Sequence, residues 1–194
     1  DIHHPAFNHA KVTYKNFVFG KSNGKEERHG TAVTGLLGAK VASQTTNYND
    51  SALNPELNTQ INMQGLSNQA DLHHYRGCWQ LENGKGKCST LTLALALDAA
   101  VSINPDIINL SLSGPKDRVL DALIDKLIEN GSIVVSAHDN NRQADNRFPI
   151  GQAGVIYAYG TSDSLPINLP DNTFMAASTA VSLSPSGLYD VFTG

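Results

Sequence analysis

One stretch limits the fold more than any other: PKDRVLDALIDKLIENGSIVVSA, residues 115–137. Val119, Leu120, Leu123, Ile124, Leu127 and Ile128 recur on a helical period, so residues 115–131 are expected to form a helix with one apolar face. Pro115 suits its first turn and Gly131 its C-terminal cap. SIVVSA (132–137) follows at once, and DIINLSL (106–112) lies just upstream; both are short, apolar and β-branched, as buried strands are. A strand, a helix and a strand in so few residues make a βαβ unit, and such units build parallel sheets with helices packed on their faces.

The rest of the chain keeps the alternation. KVTYKNFVF (11–19) and ADLHHYRG (70–77) read as strands, with HGTAVTGLLGAKVA (29–42) between them as a helix of small residues. Ser89 or Thr90 can cap a helix over LTLALALDAAVSI (91–103), and GVIYAYG (154–160) and TFMAAS (173–178) are further strands. Residues 43–64, rich in Asn, Gln, Ser and Thr, read as a surface loop; 43–64 and 160–172 are the places for insertions. The expected fold is an α/β three-layer sandwich with a mostly parallel central sheet, in one domain spanning 1–194. In such sheets, sites form at the carboxyl ends of the strands, which directs attention to the segments after IINL and IVVSA and to the loop before His29.

Composition narrows the function classes. The net charge of −4 and the lack of a Lys/Arg cluster argue against nucleic acid, and no apolar run is long enough to span a membrane. The sequence opens at Asp1 without Met or signal peptide and stops at Gly194, so it reads as a piece of a longer precursor. Cys78 and Cys88 flank ENGKGK, a turn-forming run that can bring the two sulfurs together. A disulfide there restrains the unfolded chain by roughly 2–3 kcal/mol and places the protein in an oxidising, secreted or periplasmic, compartment. The alternative is two free thiols in a reducing compartment; zinc is disfavoured by the ligand spacing.

His29 stands at the mouth of its helix. Backbone dipoles aligned at a helix N-terminus disfavour a positive imidazole, which suits a general base. Gly30 allows close approach, and the small residues that follow let the helix lie tight on a sheet. Read alone, His29 is a capping or exposed histidine. His3-His4 and His73-His74 are poor metal ligands, because neighbours on a strand point to opposite faces. Trp79 is expected to pack around the crosslink.

HGTAVTGLLGA (29–39) resembles the histidine motif of the subtilisin-like serine proteases, the subtilases, and further stretches keep that family's order. DIHHPAF (1–7) is similar to the segment just after the family's catalytic aspartate, with Asp1 and His4-Pro5 matching its second Asp and its His-Pro. QGLSNQADLHHYR (64–76) resembles the run into a core strand, with Ser67-Asn68 where Ala-Pro is usual. DIINLSLSGP (106–115) resembles the substrate-binding segment, with Ser113 where Gly is usual. SIVVSAHDNN (132–141) resembles the stretch that ends at the oxyanion-hole asparagine. FPIGQAGVIYAYG (148–160) resembles the family's aromatic-Pro…Val-Ile-x-Val-Gly passage, and FMAASTAVSLSPSGLYDVFTG (174–194) resembles the passage ending in Gly-Thr-Ser, with Ala177-Ser178 in place of Pro-Gly.

The resemblance implies a serine endopeptidase with a Ser-His-Asp triad of which this chain holds only His29, the general base. The aspartate would precede Asp1, and the nucleophilic serine would lie two residues past Gly194; the chain alone is expected to be inactive. Asn140 falls on the oxyanion donor, with Asn141 as the fallback and His138-Asp139 replacing small residues before it. Ser111, Leu112, Ser113 and Gly114 would pair with an extended peptide or protein substrate. No cofactor and no metal are expected; Asn49 and Asp50 are the candidate ligands for the loop calcium that some subtilases bind, without the regular spacing of a calcium loop. Two other classes remain: a non-catalytic module that binds extended peptides through 111–114, and a structural fragment without a function of its own. Substrate preference and oligomeric state are not encoded legibly.

Overall fold

The computed structural model describes residues 1–8, 10–20, 27–40, 44–45, 60–61, 63–138, 147–161 and 171–193. In chain order its elements are a 3-10 turn (Pro5–Phe7), β1 (Lys11–Asn16), α1 (Arg28–Gly38), β2 (Gln44–Thr45), β3 (Gln60–Ile61), β4 (Asp71–Arg76), β5 (Cys78–Gln80), β6 (Gly86–Cys88), α2 (Thr90–Ile103), β7 (Ile107–Leu110), β8 (Gly114–Pro115), α3 (Arg118–Glu129), β9 (Ile133–Ala137), β10 (Arg147–Phe148), β11 (Val155–Gly160), β12 (Thr173–Ala176), β13 (Thr179–Ser184) and β14 (Leu188–Thr193). They fall into two compact units. One comprises Asp1–Lys15, Gly24–His74 and Val181–Phe192; the other comprises Asn16–Asn23, Tyr75–Ala180 and Thr193–Gly194.

The second unit holds a four-stranded sheet in the order β12-β11-β9-β7. Every pairing in it is parallel, with Ile108 opposite Val134, Val134 opposite Val155 and Tyr157 opposite Thr173. The β7–α3–β9 unit is the βαβ crossover expected from residues 106–137. α3 supplies Leu120, Ile124 and Leu127 to a core shared with Leu97 and Ala100 of α2 and with Val134, Val155 and Tyr157 of the sheet. Val119, expected on the same face, is 55% exposed. It lies about 100° round the helix axis from Leu120, on the margin of the apolar stripe.

α3 also begins later than the proline suggested. Pro115 belongs to β8, and Asp117 is the cap, its carboxylate accepting from the Val119 and Leu120 amides at 2.9 and 3.3 Å. At the other end Gly131, at φ +95°, donates to the Ile128 carbonyl, and Ser132 donates to Leu127. This is a Schellman ending, which a left-handed glycine allows. α2 starts with a capping box between Ser89 and Thr92, as the sequence suggested for Ser89. β7 is less buried than expected. Ile107 opposes Ile133 where both strands enter the sheet, and the two are 63% and 49% exposed.

β5 and β6 form a hairpin with Cys78 opposite Cys88, and the two sulfurs are bonded. Trp79 pairs with Lys87 in that ladder, and the Lys87 ammonium stands 5.9 Å from its ring.

The first unit is built around α1. Its own core is Ala6, Phe7, Ala39, Met63 and Leu183, with Val12 and Tyr189 against it. β1 pairs with β4, and β13 pairs with β14 in a hairpin that turns through Ser186 and Gly187, both at positive φ. The stretch 43–64, read as loop, contains the antiparallel pair β2–β3, and Lys40 bridges to Gln64. Asn49 and Asp50 lie outside the described residues. Two glycines allow α1 to lie close. A Cβ on Gly35 would come within 2.7 Å of Leu183 Cγ and 2.8 Å of Ser182 Oγ on β13. A Cβ on Gly38 would collide with the Leu72 side chain of β4.

Candidate active site

His29 is the second residue of α1, in its first turn, and is exposed to solvent. Glu27 caps the helix through its backbone: its carbonyl accepts from the Thr31 amide at 3.1 Å and from the Thr31 hydroxyl at 2.8 Å. Gly30 is covered by the ring of His74, whose Cε1 would be 3.3 Å from a Cβ placed there. The His74 Nδ1 lies 2.6 Å from Thr34 Oγ1, and Thr34 Oγ1 is 2.8 Å from the Gly30 carbonyl. A hydroxyl has one proton, so when it donates to the Gly30 carbonyl it accepts from His74. Tyr14 stacks on His74 with ring centroids 5.8 Å apart. The first turn of α1 therefore rests on an imidazole, not on the bare sheet.

Asp1 and β14 both come to this turn. The main-chain nitrogen of Asp1 donates to Thr31 Oγ1, two residues from His29. The Asp1 carboxylate accepts from the amides of His3 and Ser186, at 2.9 and 3.3 Å. His4, buried, accepts from the Ala6 amide at Nδ1, which leaves Nε2 to donate to the Leu188 carbonyl at 3.1 Å. Burial holds its pKa below the ordinary imidazole value. β14 reaches Arg28. The Arg28 Nε and Nη2 both donate to Asp190 Oδ2, the former at 3.2 Å, and the guanidinium carbon lies 4.4 Å from the centroid of Phe192. Hydrogen bonding from Arg28 holds the Asp190 carboxyl below the usual carboxylate range. Sequence reasoning missed this contact. Arg28 and Asp190 are 162 residues apart, and only the alternation of a strand, which puts Asp190 and Phe192 on one side, hints at a shared partner.

The other candidate residues belong to the second unit. Ser111, Leu112 and Ser113 follow the carboxyl end of β7 and are half-buried. Asn109 Nδ2 donates to Ser111 Oγ at 2.9 Å, and Arg147 Nη2 donates to Ser113 Oγ at 3.2 Å. Gly114 already sits in a ladder, opposite Phe148 of β10. After β9, the His138 amide donates to the Ala158 carbonyl at 2.8 Å, and its ring meets Tyr157 and Tyr159 edge-on at 6.3 and 5.7 Å. Two buried tyrosines thus accommodate an imidazole where a small residue was expected. Asn140 and Asn141 lie outside the described residues. Among the described residues, no group of three or more His, Cys, Asp or Glu could hold a metal ion, and no helix is long and apolar enough to cross a membrane.

Solved structures share this fold. The chain superimposes over 100% of its length on 65% of the prenylagaramide maturation protease PagA, at 21% identity and a TM-score of 0.72. It covers 68% of sphericase at 18% identity and TM-score 0.68, and 65% of a cold-adapted subtilisin-like serine proteinase at 20% identity and TM-score 0.72. It thus spans about two thirds of the length of these structures. No curated protein matches the sequence. The model of the Subtilase family matches residues 3–182, and it is to this family that the chain belongs.

Proposed function

We propose that the protein is a serine endopeptidase of the subtilisin type, hydrolysing peptide bonds with His29 as general base. The observation that carries this reading is the convergence of Asp1 and β14 on the first turn of α1: Asp1 on Thr31, and Asp190 and Phe192 on Arg28. Residues preceding Asp1 and following β14 would be delivered beside His29, which is where an orienting aspartate and a nucleophilic serine are needed. His29 takes the proton of that serine as it attacks the scissile carbonyl, then passes it to the leaving amine. Asn140, with the backbone amide of the serine, donates to the oxyanion, a contribution of roughly 3 kcal/mol for one side-chain donor. Ser111, Leu112, Ser113 and Gly114 hold an extended peptide. The Cys78–Cys88 bond supports an extracellular or periplasmic setting.

Hydrolysis of azocasein by the full-length protein tests the reading. Wild-type protein digests it, while His29→Ala reduces the rate at least ~1000-fold. Full-length protein that binds casein without cutting it would favour a peptide-binding module instead. Activity untouched by His29→Ala would remove the imidazole from the mechanism.

A further inference from the structure

We infer that Arg28 is a positioning residue: by clasping Asp190 and Phe192 it sets where β14 delivers the chain that follows it relative to His29. The inference rests on the peptidase reading above. Arg28 precedes His29 directly in the first turn of α1, so whatever Arg28 holds is registered against the imidazole. It holds two points of one strand face. Both Nε and Nη2 reach Asp190 Oδ2, and the guanidinium lies over the ring of Phe192 at 4.4 Å. A single carboxylate contact would leave the strand free to pivot; the stacked ring two residues on removes that freedom.

The clasp is close to the chemistry in chain length. The serine that the peptidase reading requires two residues past Gly194 would be four residues from Phe192, a span of at most about 13 Å for extended chain. The clasp lies closer still to His29, its immediate neighbour. Few bonds therefore separate the fixed point from either reacting group, and a displacement of about 1 Å at the reacting atoms costs on the order of 100-fold in rate.

The pair is poorly suited to a purely structural role. The Arg28 and Asp190 side chains are 50% and 39% exposed, and exposed ion pairs contribute little to folding. Removing Arg28 should leave a folded protein with a misplaced strand end. A stabilising pair would behave the other way, with altered melting and unaltered chemistry.

The test uses the full-length protein, Arg28→Ala, Asp190→Ala and the charge-reversed double variant Arg28→Asp with Asp190→Arg. Two readouts are compared. One is amide hydrogen exchange of residues 189–193; the other is the rate of covalent labelling by a rhodamine fluorophosphonate, resolved into kinact and KI. Arg28→Ala speeds exchange in 189–193 about three- to fivefold and lowers kinact about tenfold or more, with KI within about twofold and an unchanged melting temperature. The double variant recovers part of both losses. Unchanged exchange in 189–193 overturns the clasp whatever the activity. Faster exchange with undiminished kinact overturns its positioning role. Wild-type protein that takes no label overturns the peptidase reading, and with it the role of the clasp in catalysis.

Discussion

Replacing Gly35 by Ala tests how tightly α1 is seated. In an open helix the change would stabilise by about 1 kcal/mol, because Ala gives up less backbone entropy. Here the new methyl carbon would stand 2.7 Å from Leu183 Cγ, 2.8 Å from Ser182 Oγ and 3.1 Å from Leu183 Cβ. Ordinary carbon contacts need about 3.5–4.0 Å, so α1 and β13 must separate by close to 1 Å. Neither neighbour can yield into solvent, since Leu183 and Ser182 are both 0% exposed. The Ser182 hydroxyl also donates to the Ala32 carbonyl at 2.6 Å, a bond that separation would stretch. Overpacking costs about 1–3 kcal/mol and the weakened buried bond about 1 kcal/mol more, against the gain of about 1 kcal/mol. The net is a loss of about 1–3 kcal/mol, or a fall in melting temperature of about 3–10 °C. Urea titration followed by circular dichroism measures it. Leu183→Ala should relieve the clash, so the two substitutions together cost less than the sum of each alone. A Gly35→Ala protein more stable than its parent would refute the close seating of α1, and with it the account of how His29 is held.

Other substitutions probe the remaining supports. Cys78→Ser, or reduction of the native protein, costs about 2–3 kcal/mol by the loop-closure entropy of a separation of 10 residues, read as a lower melting temperature that added reductant no longer shifts. Burial disfavours the charged form of His4, so the unfolded chain takes up a proton before the folded one does. Stability is then full above the ordinary imidazole pKa of about 6.5 and is lost as pH falls below it, by at most about 1.4 kcal/mol per pH unit. Urea midpoints between pH 8 and pH 5 should show that slope, and His4→Gln should flatten it.

The parallel sheet was legible because α3 and β9 carry strong local signals: an apolar stripe, a C-terminal glycine and a β-branched run. The disulfide hairpin was legible for a similar reason, since its turn lies between its cysteines. Pro115 misled because proline at a first turn and proline in an extended pair look alike from sequence; Asp117, two residues on, was the better cap. The β13–β14 hairpin was hidden by a turn whose Ser186 adopts positive φ without being glycine or asparagine. His29 stood out through its motif, but the residues that seat its helix did not. The Asp1–Thr31, His74–Thr34 and Arg28–Asp190 contacts join segments 30, 40 and 162 residues apart, and each pairs common polar residues. Local propensity carries no record of such pairs; they exist only once two packed elements bring them together.

The most direct measurement locates the nucleophile. Full-length protein is treated with a fluorophosphonate, digested, and the modified residue identified by mass spectrometry, with His29→Ala run in parallel. The account predicts one adduct, on the serine two residues after Gly194, and its disappearance in the variant. An adduct on a serine within residues 1–194, or one that forms equally fast without His29, would contradict it.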